Sequence, residues 1–377
     1  MNTVDYQVQN VLLVNRLRDQ SSAMIGKVQK IGRATMERAT IKDVAKLAGV
    51  SNATVSHVMN NTRFVSDGTK QIVERAVEEL NYRPSQIARS LSVQRTLTIG
   101  LLISDVGNPF YYPIIQGVES VAHANNYDVY LLNAGYDQKR SVKYVRSMIE
   151  RRADGIILMS SRMSMEIVGE ATRHKIPTVV LDWNEVAFQD ATAIHFDFER
   201  GIRQAVIHLI ELGHRRFAHV AGDLSLWTAR IRRDLYLKIL GEYGISPATV
   251  PVVEGNFKIE GGRRALHQLM NTPAKPTAVF TVNDLTAIGL IFEAKQLGLL
   301  VPDDFSVVGV DDIGLASQIT PSLTTLALPG FVIGELCVSS LLDLLSNPTQ
   351  EDSLRTHMVE AKFILRESTA AARLNTH

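Results

Sequence analysis

The sequence predicts an all-α helix-turn-helix head joined to a larger α/β body that consists of two doubly wound lobes. Between residues 40 and 81, apolar residues recur at helical spacing in three short segments. From Thr98 onward, apolar runs such as TIGLLIS, GIILMS and FSVVGVDD alternate with helical segments. Such continuous runs are typical of parallel strands that are buried on both faces. Since roughly 280 residues of this βαβ pattern exceed one sheet, we expect two similar lobes.

Each head helix has its own start and stop signals. Thr40 and Asp43 form a capping pair at the start of the first helix. Gly49 follows that helix where a tight turn requires a positive φ. Ser51 caps the second helix, and Asp67 opens the third.

The composition is that of a globular protein, with 45% hydrophobic and 21% charged residues. No apolar run reaches the roughly 18 residues that span a bilayer, and the N-terminus lacks the pattern of a secretory signal. Cys337 is the single cysteine, which excludes an intrachain disulfide and fits a small buried hydrophobe. We expect a cytoplasmic protein with no membrane partner.

The charge is distributed unevenly along the chain. Residues 41–95 hold eight Lys and Arg against five Asp and Glu, whereas residues 96–377 hold 26 against 31. A basic head on an acidic body indicates that only the head approaches a polyanion.

The first turns of the second helix carry side chains that suit a DNA major groove, and this spacing turns them outward. Asn52 and His57 can hydrogen-bond base edges, and Ala53 or the Thr54 methyl group can contact a thymine methyl group. Ser51, Thr54 and Asn60 suit phosphates. The expected DNA-binding residues of the head are Ser51, Asn52, Ala53, Thr54, Ser56, His57 and Asn60. The alternative is a three-helix module that binds a protein.

The strings ATIKDVAKLAGVSNATVSHVMN, NTRFVS and ELNYRPSQIARSL together resemble the lactose-repressor (LacI/GalR) family, with the closest likeness to its ribose and purine repressors. NPFYYPIIQGVE, AVFTVND and VVGVDDIGLASQITPSLTTL extend the resemblance through the body to about residue 370. It implies a helix-turn-helix domain at 39–83, a hinge helix and linker at 84–95, and an effector-binding and dimerisation domain at 96–377. Residues 1–38 are expected to be a disordered extension, or the product of a start codon placed too early.

The resemblance also implies a DNA-bound dimer. Leu91 matches a leucine that this family wedges into the minor groove, where an apolar side chain unstacks a base step and bends the duplex. Two heads then read two half-sites of a near-palindromic operator in double-stranded DNA, and the protein is a homodimer. Ser92 departs from the lysine that close relatives often carry, which puts minor-groove contact or operator preference in doubt.

For the body, the resemblance implies a periplasmic-binding-protein-like fold whose chain crosses between the lobes three times, near residues 197, 328 and 355. The lobes would then comprise about 96–197 with 329–355, and 198–328 with 356–370. A small ligand is expected at the carboxyl ends of the strands, in the cleft between the lobes.

Sugars and purines both present flat apolar faces edged by hydrogen-bonding groups, so a pocket for either needs aromatic side chains and a few charged or amide groups. Such residues follow the apolar strands here, at positions that line the pocket in proteins of this resemblance. The expected ligand-binding residues are Asn108, Phe110, Tyr111, Asp182, Trp183, Thr228, Arg232, Phe257, Asn283 and Asp311. The alternatives are a structural ion pair for Asp311 and Arg232, core packing for the aromatic residues, and a helix cap for Asp284.

These features predict a sequence-specific DNA-binding transcriptional regulator, a repressor controlled allosterically by a small effector. A pentose such as ribose is favoured, and a purine-type corepressor is the alternative. Leu235, Val310 and Leu328 depart from residues common in the family, which puts the ligand in doubt more than the fold. No cofactor or metal is expected.

Two other classes of protein are alternatives for the same α/β body. An enzyme is disfavoured because the sequence contains no GxGxxG after a strand, no GxxxxGK[ST], no GxSxG and no HExxH. A solute-binding protein is disfavoured by the DNA-reading head. No leucine-heptad tail follows residue 365, which favours dimers over tetramers.

Overall fold

The computed structural model describes residues 39–60, 63–83, 95–160, 162–183, 191–347 and 356–373. The chain divides into two compact units, the head (Met1–Ser92) and the body (Val93–His377). The expected extension at 1–38 and residues 84–94 of the expected hinge segment, Leu91 among them, lie outside the described residues.

The head contains α1 (Ile41–Ala48), α2 (Asn52–Asn60) and α3 (Asp67–Glu79). Thr40 donates to Asp43 Oδ2 from its backbone N–H at 2.8 Å and from its hydroxyl at 2.7 Å, which confirms the capping pair. Gly49 ends α1 at a φ of 66°, as its position after the helix predicts. The Ser51 hydroxyl accepts a hydrogen bond from the backbone N–H of Thr54 at 3.1 Å, so Ser51 does cap α2.

A small apolar core holds the three head helices together. It comprises the buried side chains of Val44, Ala45, Val55, Val73 and Ala76, with two residues from α1, one from α2 and two from α3. Because one face of each helix is used in this core, the other faces remain open to solvent.

The body begins with a regular alternation of strands and helices. From residue 95 to residue 197 its elements are β1 (Thr98–Ile103), α4 (Tyr111–Ala124), β2 (Asp128–Asn133), α5 (Gln138–Glu150), β3 (Gly155–Met159), α6 (Met165–Arg173), β4 (Thr178–Leu181) and β5 (Thr192–Asp197).

The alternation continues in the second half. The elements up to residue 327 are α7 (Glu199–Glu211), β6 (Phe217–Ala221), α8 (Trp227–Glu242), β7 (Val252–Glu254), α9 (Ile259–Met270), β8 (Ala278–Thr281), α10 (Asp284–Gln296), β9 (Ser306–Val308) and β10 (Thr325–Ala327). The last elements are α11 (Gly330–Ser346), β11 (Thr356–Glu360) and β12 (Lys362–Ile364).

The strands form one sheet in each lobe. The first lobe has a six-stranded parallel sheet in the order β11-β5-β4-β3-β1-β2, and the second has a four-stranded parallel sheet in the order β7-β6-β8-β9. Helices α4 and α11 pack on one face of the first sheet, and α5 and α6 pack on the other. The doubly wound arrangement predicted for both lobes is therefore present.

Two glycines allow α4 and α11 to pack unusually close. A Cβ atom on Gly117 would lie 2.1 Å from the carbonyl oxygen of Phe331, and one on Gly334 would lie 2.1 Å from that of Ile114. Neither contact is tolerable, so both positions require glycine at this helix–helix crossing.

The third crossing between the lobes lies later than the sequence predicts. Residues 356–360 were expected in the second lobe, but β11 pairs in parallel with β5 in the first sheet. The chain crosses at Ala361, after which β12 pairs with β10 in an antiparallel ribbon. A five-residue strand supplies no local signal of the sheet that it joins, since pairing depends on its neighbours.

The core of the body is apolar, and the apolar strands contribute many of its side chains. Cys337 is fully buried within it, as predicted for a small hydrophobe. Among the described residues, no helix has the length and apolar character needed to cross a bilayer.

Candidate functional sites in the head and in the body

The first turn of α2 presents a solvent-facing surface on the head. Asn52 and Ala53 are exposed, whereas Thr54, Ser56 and His57 are half-buried along the same helix. Ser51, also exposed, is held in place because its hydroxyl is bonded to both the backbone and the hydroxyl of Thr54. The side chain of Asn60 lies outside the described part of the head. Except for that residue, the structure brings the predicted DNA-binding residues of the head onto one helix end.

A hollow of about 400 Å³ adjoins this surface, between α2 and the start of α3. Its lining residues are His57, Val58, Arg63, Phe64, Val65, Asp67 and Lys70. Arg63 and Lys70 add positive charge beside His57, and Phe64 is 97% exposed. These two cations were not among the sequence candidates. Arg63 follows α2 by three residues, a spacing that could have identified it.

The body encloses a second candidate site between the carboxyl ends of its two sheets. It is lined by Asn108, Phe110, Tyr111, Tyr136, Met159, Ser160, Leu181, Asp182, Phe196, Thr228, Arg232, Phe257 and Asp311. The carboxyl ends of β3, β4 and β5 and the segments after β1 to β4 supply one side, and α8 with the loops after β7 and β9 supplies the other. We call this site the cavity.

Eight of the ten expected ligand-binding residues line the cavity, and two do not. Asn283 is the N-cap of α10, where its Oδ1 accepts hydrogen bonds from the backbone N–H of Thr286 at 3.1 Å and from its hydroxyl at 2.7 Å. Its amide also donates to the backbone oxygen of Phe257 at 3.1 Å. Trp183 is buried in the apolar core between the first sheet and α5 and α6. Both residues therefore lie behind the cavity lining.

Five lining residues were missed by the sequence reasoning: Tyr136, Met159, Ser160, Leu181 and Phe196. Three of them are the last or nearly the last residues of strands, where an apolar side chain gives no signal that it lines a cavity. Tyr136 follows β2 in a Gly-Tyr-Asp turn, with a φ of 59°. An aromatic residue in a turn directly after a strand is the signal that could have found it.

The guanidinium group of Arg232 interacts through its charge with two carboxyl groups of the cavity, those of Asp182 and Asp311. The Arg232 Nη1 atom donates to the backbone oxygen of Val282 at 2.8 Å, and it lies 4.0 Å from Asp311 Oδ1. The guanidinium carbon also lies 4.5 Å from the centre of the Phe198 ring, a cation–π contact. Burial raises the pKa of Asp182 and of Asp311 to about 7, although the positive charge of Arg232 opposes the rise in both.

Three polar atoms that belong to residues of the cavity lining have no hydrogen-bond partner among the described residues. They are Ser160 Oγ from the first lobe, and Thr228 Oγ1 and Arg232 Nε from the second, all inaccessible to bulk solvent. Burying a polar atom without a partner costs about 1–3 kcal/mol. Such unpaired groups around one enclosed space indicate a binding site for a ligand with its own donors and acceptors.

Aromatic rings form the apolar part of the wall. Phe110 meets Phe196 edge to face at 6.5 Å between ring centres, and Tyr136 stacks on Phe257 at 6.5 Å with an angle of 19° between the ring planes. The cavity thus combines flat apolar surfaces with carboxylate, guanidinium and hydroxyl groups. This mixture suits a small polar molecule with apolar faces.

Asp284 supports the cavity from behind and does not cap α10, so the cap alternative is wrong. Its carboxylate accepts hydrogen bonds from the Thr325 hydroxyl at 2.5 Å and from the backbone N–H of Ile313 at 2.9 Å. Burial and the nearby Asp311 raise the pKa of Asp284 well above its usual value. Asp284 thereby fixes the loop that carries Asp311, whose φ is 113°.

Within the described residues, no group of three or more His, Cys, Asp or Glu side chains is placed to hold a metal ion.

Two known family models match segments of the chain, one in the head and one in the body. Residues 40–85 match the model of the bacterial regulatory proteins of the lacI family, and residues 206–369 match that of the periplasmic binding protein-like domain. The HTH-type transcriptional repressor PurR of Vibrio atlanticus is 39% identical over 314 residues, which cover 83% of this chain and 94% of that protein. The ribose operon repressor of Haemophilus influenzae is 38% identical over 332 residues, which cover 88% of this chain and 98% of that protein.

Among solved structures, the lac repressor dimer bound to operator and the anti-inducer ONPF is similar, with a TM-score of 0.78 and 29% identity over 89% of this chain and all of that one. The chain belongs to the LacI family of DNA-binding transcriptional repressors. The family and fold predicted from the sequence are confirmed, and these relatives are transcriptional regulators and not enzymes.

Proposed function

We propose that a neutral, polyhydroxylated small molecule, a pentose such as ribose, binds in the cavity and controls how tightly this repressor holds its operator. The observation that carries the proposal is the arrangement around Arg232. Asp182 and Asp311 enter from opposite lobes, and unpaired hydroxyl and guanidinium atoms surround the same space. A ligand that satisfies them must offer several hydroxyl donors and at least one acceptor.

A pentose supplies that set of groups. Its hydroxyls donate to the two carboxylates, its ring oxygen accepts from Arg232 Nε, and its C–H faces pack on the aromatic walls. Because the lining contains two carboxyl groups and a single guanidinium, an anionic sugar phosphate is disfavoured. The similarity to the ribose operon repressor of Haemophilus influenzae supports this choice.

A purine-type corepressor is the second candidate. The aromatic side chains suit a flat heterocycle, and the similarity to PurR of Vibrio atlanticus supports it. Tyr136 and Phe257, however, stack with 6.5 Å between their ring centres. Because these two rings stack on each other, a purine base has to separate them or lie against another part of the lining.

For DNA, we infer that α2 enters the major groove of each half-site of a near-palindromic operator. Asn52 and His57 contact base edges, Ala53 and Thr54 contact thymine methyl groups, and Ser51 binds phosphate. Ser56, Asn60 and the wedge at Leu91 complete the expected contacts, and Arg63 and Lys70 add charge beside His57. The lac repressor precedent, a dimer bound to operator, supports a homodimer.

Effector and operator are linked through the body. A ligand that contacts both lobes favours one lobe arrangement, and so it changes the spacing of the two DNA-reading heads in the dimer. A coupling of about 1–3 kcal/mol changes operator affinity roughly 5- to 150-fold, and the operator alters effector affinity by the same factor. Operator binding measured with and without the effector shows whether the effector induces or corepresses.

The test is titration calorimetry of the full-length protein with ribose, ribose 5-phosphate and a free purine base. We expect heat with ribose, little with its phosphate, and none with ribose in an Asp311→Asn variant. Absence of heat with ribose at millimolar concentration overturns the pentose assignment, and heat with the purine base alone establishes the second candidate. Operator binding in the same samples shows whether the ligand acts on DNA affinity.

A further inference from the structure

An ion pair joins the two lobes at the rim of the cavity. Arg162 follows β3 of the first lobe, and Asp223 follows β6 of the second. Arg162 Nη2 lies 2.7 Å from Asp223 Oδ2, and each side chain is 39% exposed. Neither residue lines the cavity, so this contact closes the rim without touching what lies inside.

Asp223 is held ready for this contact. Its Oδ1 atom accepts hydrogen bonds from the backbone N–H of Ser225 at 2.9 Å and from the Ser225 hydroxyl at 2.5 Å, which leaves Oδ2 for Arg162. These bonds and the Arg162 charge lower the pKa of Asp223. A side chain that is already fixed loses little entropy when the pair forms, which is the usual cost of an exposed ion pair.

A second, longer ion pair crosses the same rim. Lys258 follows β7 of the second lobe, and Asp105 follows β1 of the first. The distance between Lys258 Nζ and Asp105 Oδ2 is 3.9 Å. The Asp105 carboxylate also accepts a hydrogen bond from the backbone N–H of Gly107 at 3.0 Å. The greater distance makes this the weaker of the two connections.

Aromatic side chains cross the rim in both directions. Tyr136 of the first lobe packs against a second-lobe cluster that includes Leu226 and Phe257. Trp227 of the second lobe packs against the first-lobe core that includes Val142 and Ala191. The lobes are therefore in contact at several points around the cavity, and the pair of Arg162 and Asp223 is shorter than that of Lys258 and Asp105.

We propose that Arg162 and Asp223 are positioning residues for effector binding, which hold the two lobes closed around the cavity and so set effector affinity without contacting the effector. The proposal rests on the proposed role of the cavity. An exposed ion pair contributes at most about 1 kcal/mol to folding, and Asp223 is held within its own lobe by Ser225. The apparent dissociation constant for the effector is inversely proportional to the fraction of molecules whose lobes are closed. Losing the ion pair lowers that fraction, so the pair acts on effector affinity more than on folding stability.

The first test measures ribose affinity by calorimetry in full-length Arg162→Ala, Asp223→Ala and the double variant. Each single substitution should weaken binding about two- to five-fold, the range that an exposed pair supplies. The double variant should bind ribose no more weakly than either single variant. Arg162→Lys, which keeps the positive charge, should retain most of the affinity. The matched control, Arg146→Ala, breaks an ion pair with Glu170 inside the first lobe and should change nothing.

The second test reads lobe closure without any effector, so it stands even if ribose does not bind. The chain has two tryptophans, and in a Trp183→Phe background only Trp227, at the rim, remains. Arg162→Ala should shift its fluorescence emission to longer wavelength, as should high salt, because Trp227 gains contact with water when the lobes separate. Unchanged emission and unchanged affinity in both single variants overturn the proposal. Failure of ribose to bind, with the emission shift present, overturns only the pentose assignment.

Discussion

The head and the body present their functional side chains in opposite environments. In the head, exposed Asn52 and Ala53 are neighbours in sequence on one short helix. In the body, the side chains of Arg232 and Asp311 are 6% and 5% exposed and come from segments 79 residues apart. Exposed side chains that contact DNA each make their own contact. Groups that are buried together depend on one another for charge and hydrogen bonding. Substitutions should therefore act independently in the head and collectively in the cavity.

The largest effect is expected from Arg232→Ala. This change leaves two buried carboxyl groups without their cation, and breaking a buried pair by removing one partner costs about 3–5 kcal/mol. Ribose binding should fall more than about 100-fold by calorimetry, while operator affinity measured without ligand stays close to that of the unaltered protein. Arg233→Ala is the matched control, because the adjacent arginine pairs with Asp234 outside the cavity. Equal losses in the two variants would contradict the role given to Arg232.

The two cavity acids should weaken the fold as pH rises. Their pKa values near 7 lie above the usual value of 3.8, so the folded chain holds these protons more tightly than the unfolded chain. Their contribution to stability is present below about pH 4 and is lost as pH rises to about 7. At pH 7.5, Asp311→Asn should raise the free energy of unfolding, because the amide is neutral without having to hold a proton in the buried site. The same variant should lose ribose binding.

Thermal unfolding of both proteins between pH 4.5 and pH 7.5 checks this sign. The stability difference between Asp311→Asn and the unaltered chain should grow with pH across that interval. Asp343→Asn, at an exposed position on α11, serves as the control and should show no such trend. A difference that shrinks with rising pH would mean that Asp311 is stabilised as a carboxylate.

The same contrast explains how far the sequence alone could go. Capping residues and Gly49 are local signals, so the helices of the head and their outward residues followed directly from the pattern. In the body, strand ends located Asn108, Asp182 and Asp311, because parallel strands bring their carboxyl ends to one edge. The direction of each side chain there was not predictable. Asp182 follows β4 with a φ of 49°, and this turn of the backbone leaves Asp182 lining the cavity while Trp183 packs in the core.

Missed residues in the cavity have a related cause. Leu181 and Phe196 belong to apolar strand runs, and nothing in the sequence separates an apolar residue that lines a cavity from one that fills a core. Ser160 carries an unpaired hydroxyl, which is a property of its surroundings and not of the residue. The position of Ala361 as the third crossing likewise depends on which sheet β11 joins.

The smallest expected effects belong to the head, where they should differ in kind. Asn52→Ala removes a proposed base contact, so it should cost about 1–3 kcal/mol on the preferred operator and little on unrelated duplexes. Lys70→Ala, at the neighbouring hollow, should weaken binding to all duplexes alike and reduce the dependence of the affinity on salt. Fluorescence anisotropy with a selected operator and a scrambled duplex, at two salt concentrations, separates the two patterns. If Asn52→Ala weakened both duplexes equally, the first turn of α2 would contact only the backbone, and sequence would be read elsewhere on the head.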